Sequence, residues 1–162
     1  MIMSDYVNSL LSSAGIPLSV DVKGLSLKSS KNWKRAKQFI EGTSNLVIIG
    51  PEQYRYVIKV MRMKLMLQPE KVMTMVTFNN IYFMPFIELL HKYGDRDVVA
   101  ISSMSNTTSE PRKRNVCSFI DWMCSEGKQV LLASAGVDEF RSSVEYAWDT
   151  VDSNFDVLHY KD

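Results

Sequence analysis

Short apolar runs that alternate with helix-like segments are the feature of this sequence that most constrains its fold. Strands are predicted at 45–49 (NLVII), 72–78 (VMTMVTF), 97–103 (DVVAISS), 129–133 (QVLLA) and 155–159 (FDVLH). Within the first of these, residues 46–49 are continuously apolar, which is typical of strands covered on both faces. The alternation predicts an α/β fold of three layers, with a central, mostly parallel sheet of about five or six strands and helices on both sides.

Apolar residues at spacings of three and four predict the helices between these strands. The expected helices are 31–41, 85–93, a segment from Ser109–Pro111 to Gly127, and a final helix with its apolar residues between 137 and 151. Residues 52–67 fit either a helix or a strand, and their length favours a helix. The Asn79–Asn80 pair is a candidate turn before 81–84.

The chain has 162 residues, which is the size of one domain. We therefore expect a single α/β domain over 1–162, with residues 1–30 as a candidate appended arm. Within that arm the pattern indicates a short helix at 4–14 and a strand or hairpin at 16–27.

The sequence predicts a soluble, cytoplasmic protein with no membrane partner. It has no apolar stretch of about 18 residues, and no basic region precedes the apolar part of its N-terminus. Cys117 and Cys124 lie seven residues apart in a predicted helix, roughly 10.5 Å along its axis, which is too far for a disulfide. Two unpaired thiols are typical of a reducing compartment.

The net charge of +1 conceals two oppositely charged parts of the chain. Residues 21–64 hold ten Lys or Arg and three acidic residues, whereas residues 115–162 hold three basic and nine acidic residues. Such asymmetry predicts either an anionic partner or head-to-tail self-association into a homo-oligomer. The alternative is that the charges intermix on the folded surface.

Clusters of cations at predicted helix starts are the candidate site for an anionic partner, because cations there oppose the helix dipole. The candidate residues for binding a nucleic-acid backbone or an acidic protein surface are Lys31, Lys34, Arg35, Arg55, Lys59, Arg62, Arg112, Lys113 and Arg114. Trp33, Tyr54 and Tyr56 lie close by in sequence, as aromatic residues do on single-strand nucleic-acid surfaces. The alternative is that the aromatics belong to the core and the cations are merely solvated.

A second candidate site lies at the carboxyl ends of the strands, where ligands bind in open α/β sheets. A nucleotide or phosphorylated ligand there would contact Gly50, Ser103, Asn106, Thr107, Thr108 and Gly136. The dinucleotide fingerprint G-x-G-x-x-G and the phosphate loop G-x-x-x-x-G-K-[ST] are both absent. These positions also fit ordinary strand-to-helix turns.

No catalytic or metal-binding pattern stands out, so we expect neither a metal nor a cofactor. Cys117 with His91 as its base is a weak candidate pair, and the methionines between Met61 and Met75 favour packing over metal binding. The sequence thus predicts a non-enzymatic binding or assembly protein. The alternative is a small enzyme or sensor with a nucleotide or phosphorylated ligand at the strand ends.

Overall fold

The computed structural model describes residues 30–106 and 109–159, with side chains from Asn32 onward. The candidate arm, apart from Ser30, lies outside the described residues. The helices are α1 (Ser30–Glu41), α2 (Gln53–Leu67), α3 (Phe78–Ile81), α4 (Phe86–Tyr93), α5 (Glu110–Ser125), α6 (Val137–Ser143) and α7 (Trp148–Asn154), with a 3-10 turn at Glu145–Ala147. The strands are β1 (Asn45–Ile49), β2 (Met73–Thr77), β3 (Val98–Met104), β4 (Gln129–Ser134) and β5 (Phe155–His159).

The five strands form one parallel sheet in the order β2-β3-β4-β1-β5, with helices on both faces. The predicted three-layer α/β architecture is therefore confirmed. Strand β1 lies inside the sheet, where Val47 pairs with Leu132 of β4 on one side and Val157 of β5 on the other. This central position explains why residues 46–49 are apolar without interruption.

Alternate residues of the strands divide the core into two halves. On one face Leu46 and Ile48 pack with Phe39 of α1 and Met61 of α2. On the other face Val47 and its alternate partners pack against α3 to α7. Full burial of one such side chain contributes about 1.5 to 3 kcal/mol, so each layer of helices is held mainly by its apolar contact with the sheet.

A buried polar network closes the end of α1. The Lys64 ammonium has three N–H donors and lies within hydrogen-bond distance of four acceptors, the carbonyls of Phe39 (2.8 Å), Ile40 (3.3 Å) and Gly42 (3.2 Å) and Gln68 Oε1 (2.7 Å). The carbonyls at the end of a helix lack donors within the helix, so the Lys64 ammonium supplies donors to the carbonyls at the end of α1. The chain continues from there into β1.

Two parts of the predicted secondary structure were wrong. Residues 78–81 form the short helix α3 instead of a turn leading to an extended segment, because Phe78 and Ile81 are buried on the same face. The final helix is broken into α6, the 3-10 turn and α7, and the buried Val144 lies at the break. The segment 52–67 fitted either a helix or a strand, and the structure shows a helix there, α2, as the length of the segment favoured.

Candidate functional site

The cations of α1 divide between solvent and structural roles. Lys34 is exposed, and Lys37 lies 4.0 Å from Glu41 one turn along the helix. Arg35 is half-buried, and its guanidinium donates a hydrogen bond to the carbonyl of Val157 on the edge strand β5. Lys31 belongs to α1, but its side chain is outside the described part of the chain. Of the predicted α1 residues, Lys34 is thus the one shown facing solvent.

The cations of α2 follow the same division. Arg55 pairs with Glu52 at 3.2 Å, and Lys59 and Arg62 are half-buried along the helix. Lys64 is fully buried, and the burial of its ammonium lowers its pKa to about 8, with Lys71 adding to the effect and Glu70 opposing it. Lys64 therefore supports the fold, while Lys59 and Arg62 remain candidates for an outer ligand.

The three basic residues of α5 lie on the opposite face of the sheet from α1 and α2. Arg112 is exposed over the ring of Tyr82 (5.3 Å to the centroid), and Arg114 is exposed over the ring of Tyr146 (3.9 Å). Lys113 is only 6% exposed and donates to Glu145 Oε1 at 2.8 Å. The eight of these cations whose side chains are described therefore form no single surface, and Lys113 is removed from the candidates because it is buried and paired.

The aromatic residues near these cations also separate. Tyr56 is buried in the core and Tyr54 packs against the core. For these two residues the alternative that the aromatics belong to the core therefore holds. Trp33 is 38% exposed on α1, next to Lys34 in sequence. One aromatic side chain thus stays available beside the exposed cations of this face.

The second candidate site, at the carboxyl ends of the strands, is largely occupied by internal contacts. The Gly50 N–H donates to the Ser134 carbonyl at 3.0 Å, and Ser103 is bound to Gln53. Asn106 is exposed, whereas Thr107 and Thr108 lie outside the described residues. Gly136 precedes the seven-residue helix α6 and has the Glu139 carboxylate next to it.

Sequence reasoning missed Gln53, which is 4% exposed at the start of α2. Its Nε2 donates to Ser103 Oγ at 3.2 Å, and its Oε1 accepts from the Ser103 N–H at 3.2 Å. The two residues are 50 positions apart, and no periodic or motif signal joins them. Only the absence of a phosphate-loop consensus after β1 could have directed attention there.

The cysteine chemistry considered from the sequence finds no support. Burial raises the pKa of the Cys117 thiol to about 11, and its Sγ donates to the Ser143 carbonyl at 3.4 Å. Burial likewise raises the pKa of Cys124 to about 11. Among residues 30–106 and 109–159, no group of three His, Cys, Asp or Glu side chains is placed to hold a metal ion.

No helix within the described ranges has the length and apolar character needed to span a bilayer. No family model matches the sequence, and a comparison with curated proteins found no match. The fold, in contrast, is found in solved structures of DNA-replication proteins.

The DnaC helicase loader superposes with a TM-score of 0.60 at 11% identity, over 89% of this chain and 98% of DnaC. DnaI gives a TM-score of 0.65 at 9% identity, over 96% and 97% of the two chains. The initiator DnaA, bound to AMPPCP and single-stranded DNA, gives 0.60 at 10% identity over 87% of this chain, which spans 48% of DnaA. At such identities the comparison shows that this chain shares the fold of these proteins.

Proposed function

We propose that this chain is a non-enzymatic binding module whose α1–α2 face engages the backbone of a nucleic acid. The observation that carries the proposal is the separation of charge between the two helical layers. Helices α1 and α2 contain eight Lys or Arg and one acidic residue. The elements on the other face, α3 to α7 with the 3-10 turn, contain five basic and eight acidic residues.

The separation matters because a field of one sign on one face attracts a polyanion, while intermixed charges would cancel. Two of the eight cations, Arg35 and Lys64, are committed to internal carbonyls. Lys34 and Lys37 are exposed and line one open groove, which Glu41 and Asp156 also line. With Lys59 and Arg62 of α2, these lysines are the residues we propose to contact phosphates.

Trp33 supports a single-stranded ligand over a duplex. An exposed indole beside lysines offers a stacking surface for an unpaired base, which is worth about 1 to 3 kcal/mol per base in single-strand binding proteins. One fold neighbour, DnaA, was solved with single-stranded DNA. That is a property of DnaA, and it supports choosing single-stranded DNA as the first ligand to test.

The experiment is fluorescence anisotropy with a labelled single-stranded oligonucleotide across a salt series. Each neutralised phosphate contributes about −0.7 to the slope of log K against log salt concentration. We expect the double variant Lys34→Gln/Arg62→Gln to weaken binding and to make that slope shallower by about 1 to 1.5. Trp33→Leu should weaken binding without changing the slope.

Lys92→Gln is the matched control, because Lys92 is exposed on α4, on the opposite face of the sheet. Equal losses in the control and the α1–α2 variants would contradict the proposed surface. Absence of binding at low salt would contradict the proposed ligand.

The same charge separation favours a second candidate function, head-to-tail assembly of this chain. The basic α1–α2 face of one copy complements the acidic layer of another, and such a heterologous contact produces rings or filaments. Light scattering coupled to size-exclusion chromatography tests it. Assembly predicts multimers that dissociate as salt rises, whereas an unchanged monomer across protein concentrations contradicts it.

A further inference from the structure

We infer that the carboxyl-end crevice of the sheet is closed by this chain's own side chains and takes no nucleotide, although the fold neighbour DnaA was solved with the nucleotide analogue AMPPCP. The closure joins the start of α2 to the end of β3 through Gln53 and Ser103. It involves none of the side chains proposed to contact phosphates, and it does not rest on the proposed function.

The loop after β1 lacks what a phosphate needs. A phosphate loop provides several backbone N–H groups and a lysine between strand and helix. Here only Gly50, Pro51 and Glu52 separate β1 from α2. The Gly50 N–H is bound to the Ser134 carbonyl, Pro51 has no N–H, and Glu52 brings a carboxylate to the helix start.

The cation closest along the chain does not replace the missing lysine. Arg55 lies in the first turn of α2 and pairs with the Glu52 carboxylate at 3.2 Å. A phosphate at this end of α2 would therefore meet a negative charge and a guanidinium that already has an anionic partner. The electrostatics of the loop disfavour phosphate.

The strand side of the crevice is satisfied internally. Two hydrogen bonds of 3.2 Å link the Gln53 amide to the N–H and Oγ of Ser103. Ser134 Oγ donates to the Met104 carbonyl at 2.6 Å, and Ser102 Oγ lies 3.5 Å from the Val76 carbonyl. The polar side chains at the ends of β3 and β4 thus bond to the protein itself.

The backbone adopts costly conformations at both ends of this link. Glu52 has φ of 55° and Ser103 has φ of 57°, and neither is a glycine. Left-handed conformations of such residues persist where surrounding contacts hold them in place. Gln53 follows Glu52 in the chain and its amide bonds to Ser103, so it links these two backbone positions without any ligand.

The test combines nucleotide titration with hydrogen exchange on the whole chain. ATP or ADP with Mg²⁺, raised to millimolar concentration, should leave the melting temperature of the native protein unchanged. A nucleotide present at 100 times its Kd would raise the melting temperature by roughly 5 °C or more. A saturable rise with either nucleotide would overturn the inference.

Variants at Gln53 and Ser103 test whether the hydrogen bonds between these two residues hold the crevice closed. Gln53→Ala should speed exchange at the Ser103 amide by about tenfold, since it removes that amide's acceptor. Ser103→Ala keeps this bond and removes only the Oγ contact, so its effect should be smaller. Gln38→Ala is the control, because Gln38 is exposed on α1.

Equal exchange in Gln53→Ala and Gln38→Ala would overturn the closure. If Gln53→Ala does not fold, Gln53→Met, which also lacks the acceptor but fills the buried position, replaces it in the comparison with Gln38→Ala. Binding of single-stranded DNA by these variants is read separately, so failure of the proposed function and failure of this inference give different results.

Discussion

Lys64 predicts an unusual dependence of stability on pH. Its ammonium is fully buried, and burial lowers its pKa from 10.5 to about 8. Between these two values the unfolded chain binds a proton that the folded chain does not, so the free energy of unfolding rises with pH. Below pH 8 both states are protonated and the cost of burying the charge is fully present.

The magnitude follows from the shift. One pKa unit corresponds to about 1.4 kcal/mol, and integration from pH 7 to pH 10 gives a gain of about 2 to 3 kcal/mol from Lys64 alone. The group exposes no surface, so solvent screening reduces this value little. In Lys64→Met the contribution is absent, because the thioether does not titrate.

The assay is urea denaturation of the native chain and of Lys64→Met at several pH values from 7 to 10. The quantity to follow is the difference between their unfolding free energies, in which the titration of all other groups cancels. We expect this difference to move in favour of the native chain by about 2 to 3 kcal/mol across the range. Lys34→Met controls for the loss of a lysine at an exposed position.

A constant difference between the native chain and Lys64→Met would refute the reasoning. It would mean that the four acceptors around the ammonium compensate its burial in full. The same pH dependence in Lys34→Met would also refute it, since burial would then not be the cause.

Two further predictions concern buried groups on the other face of the sheet. Lys113→Met should lower the free energy of unfolding by about 1 to 3 kcal/mol, because it removes a nearly buried hydrogen bond to Glu145; an unfolding curve that matches the exposed-site control Lys92→Met would argue against this. Because burial raises the pKa of Cys117 and Cys124 to about 11, iodoacetamide should alkylate the folded chain at pH 7.5 roughly 100-fold more slowly than the unfolded chain. Mass spectrometry measures both rates, and rates within a few-fold of each other would show that the thiols are not protected.

The sequence alone predicted the fold class because its signals are local. Continuous apolar runs such as 46–49 are typical of strands inside a sheet covered on both faces. Helical spacing between them then requires crossover connections, and parallel strands follow. The same locality explains the errors, since nothing near Asn79 shows that Phe78 and Ile81 will be drawn into the core as one helical turn.

The candidate site depended on contacts between residues distant in the chain. The sequence placed Lys34, Lys113 and Arg114 together as cations at helix starts, but only the sheet order put α1 and α5 on opposite faces. Lys113 is nearly buried, and its ammonium donates a hydrogen bond to Glu145, which lies 32 residues further along the chain. The unequal distribution of charge along the chain is thus visible in the sequence. The topology decides that the excess of basic residues lies in the α1–α2 layer.

The carboxyl-end crevice shows the same division. The absence of a phosphate-loop motif after β1 is visible in the sequence and already weakens the case for a nucleotide. What replaces it, the Gln53 amide bonded to Ser103, exists only because the parallel register brings the start of α2 beside the end of β3. Local patterns determine which elements form, whereas long-range hydrogen bonds decide which polar groups remain for a partner.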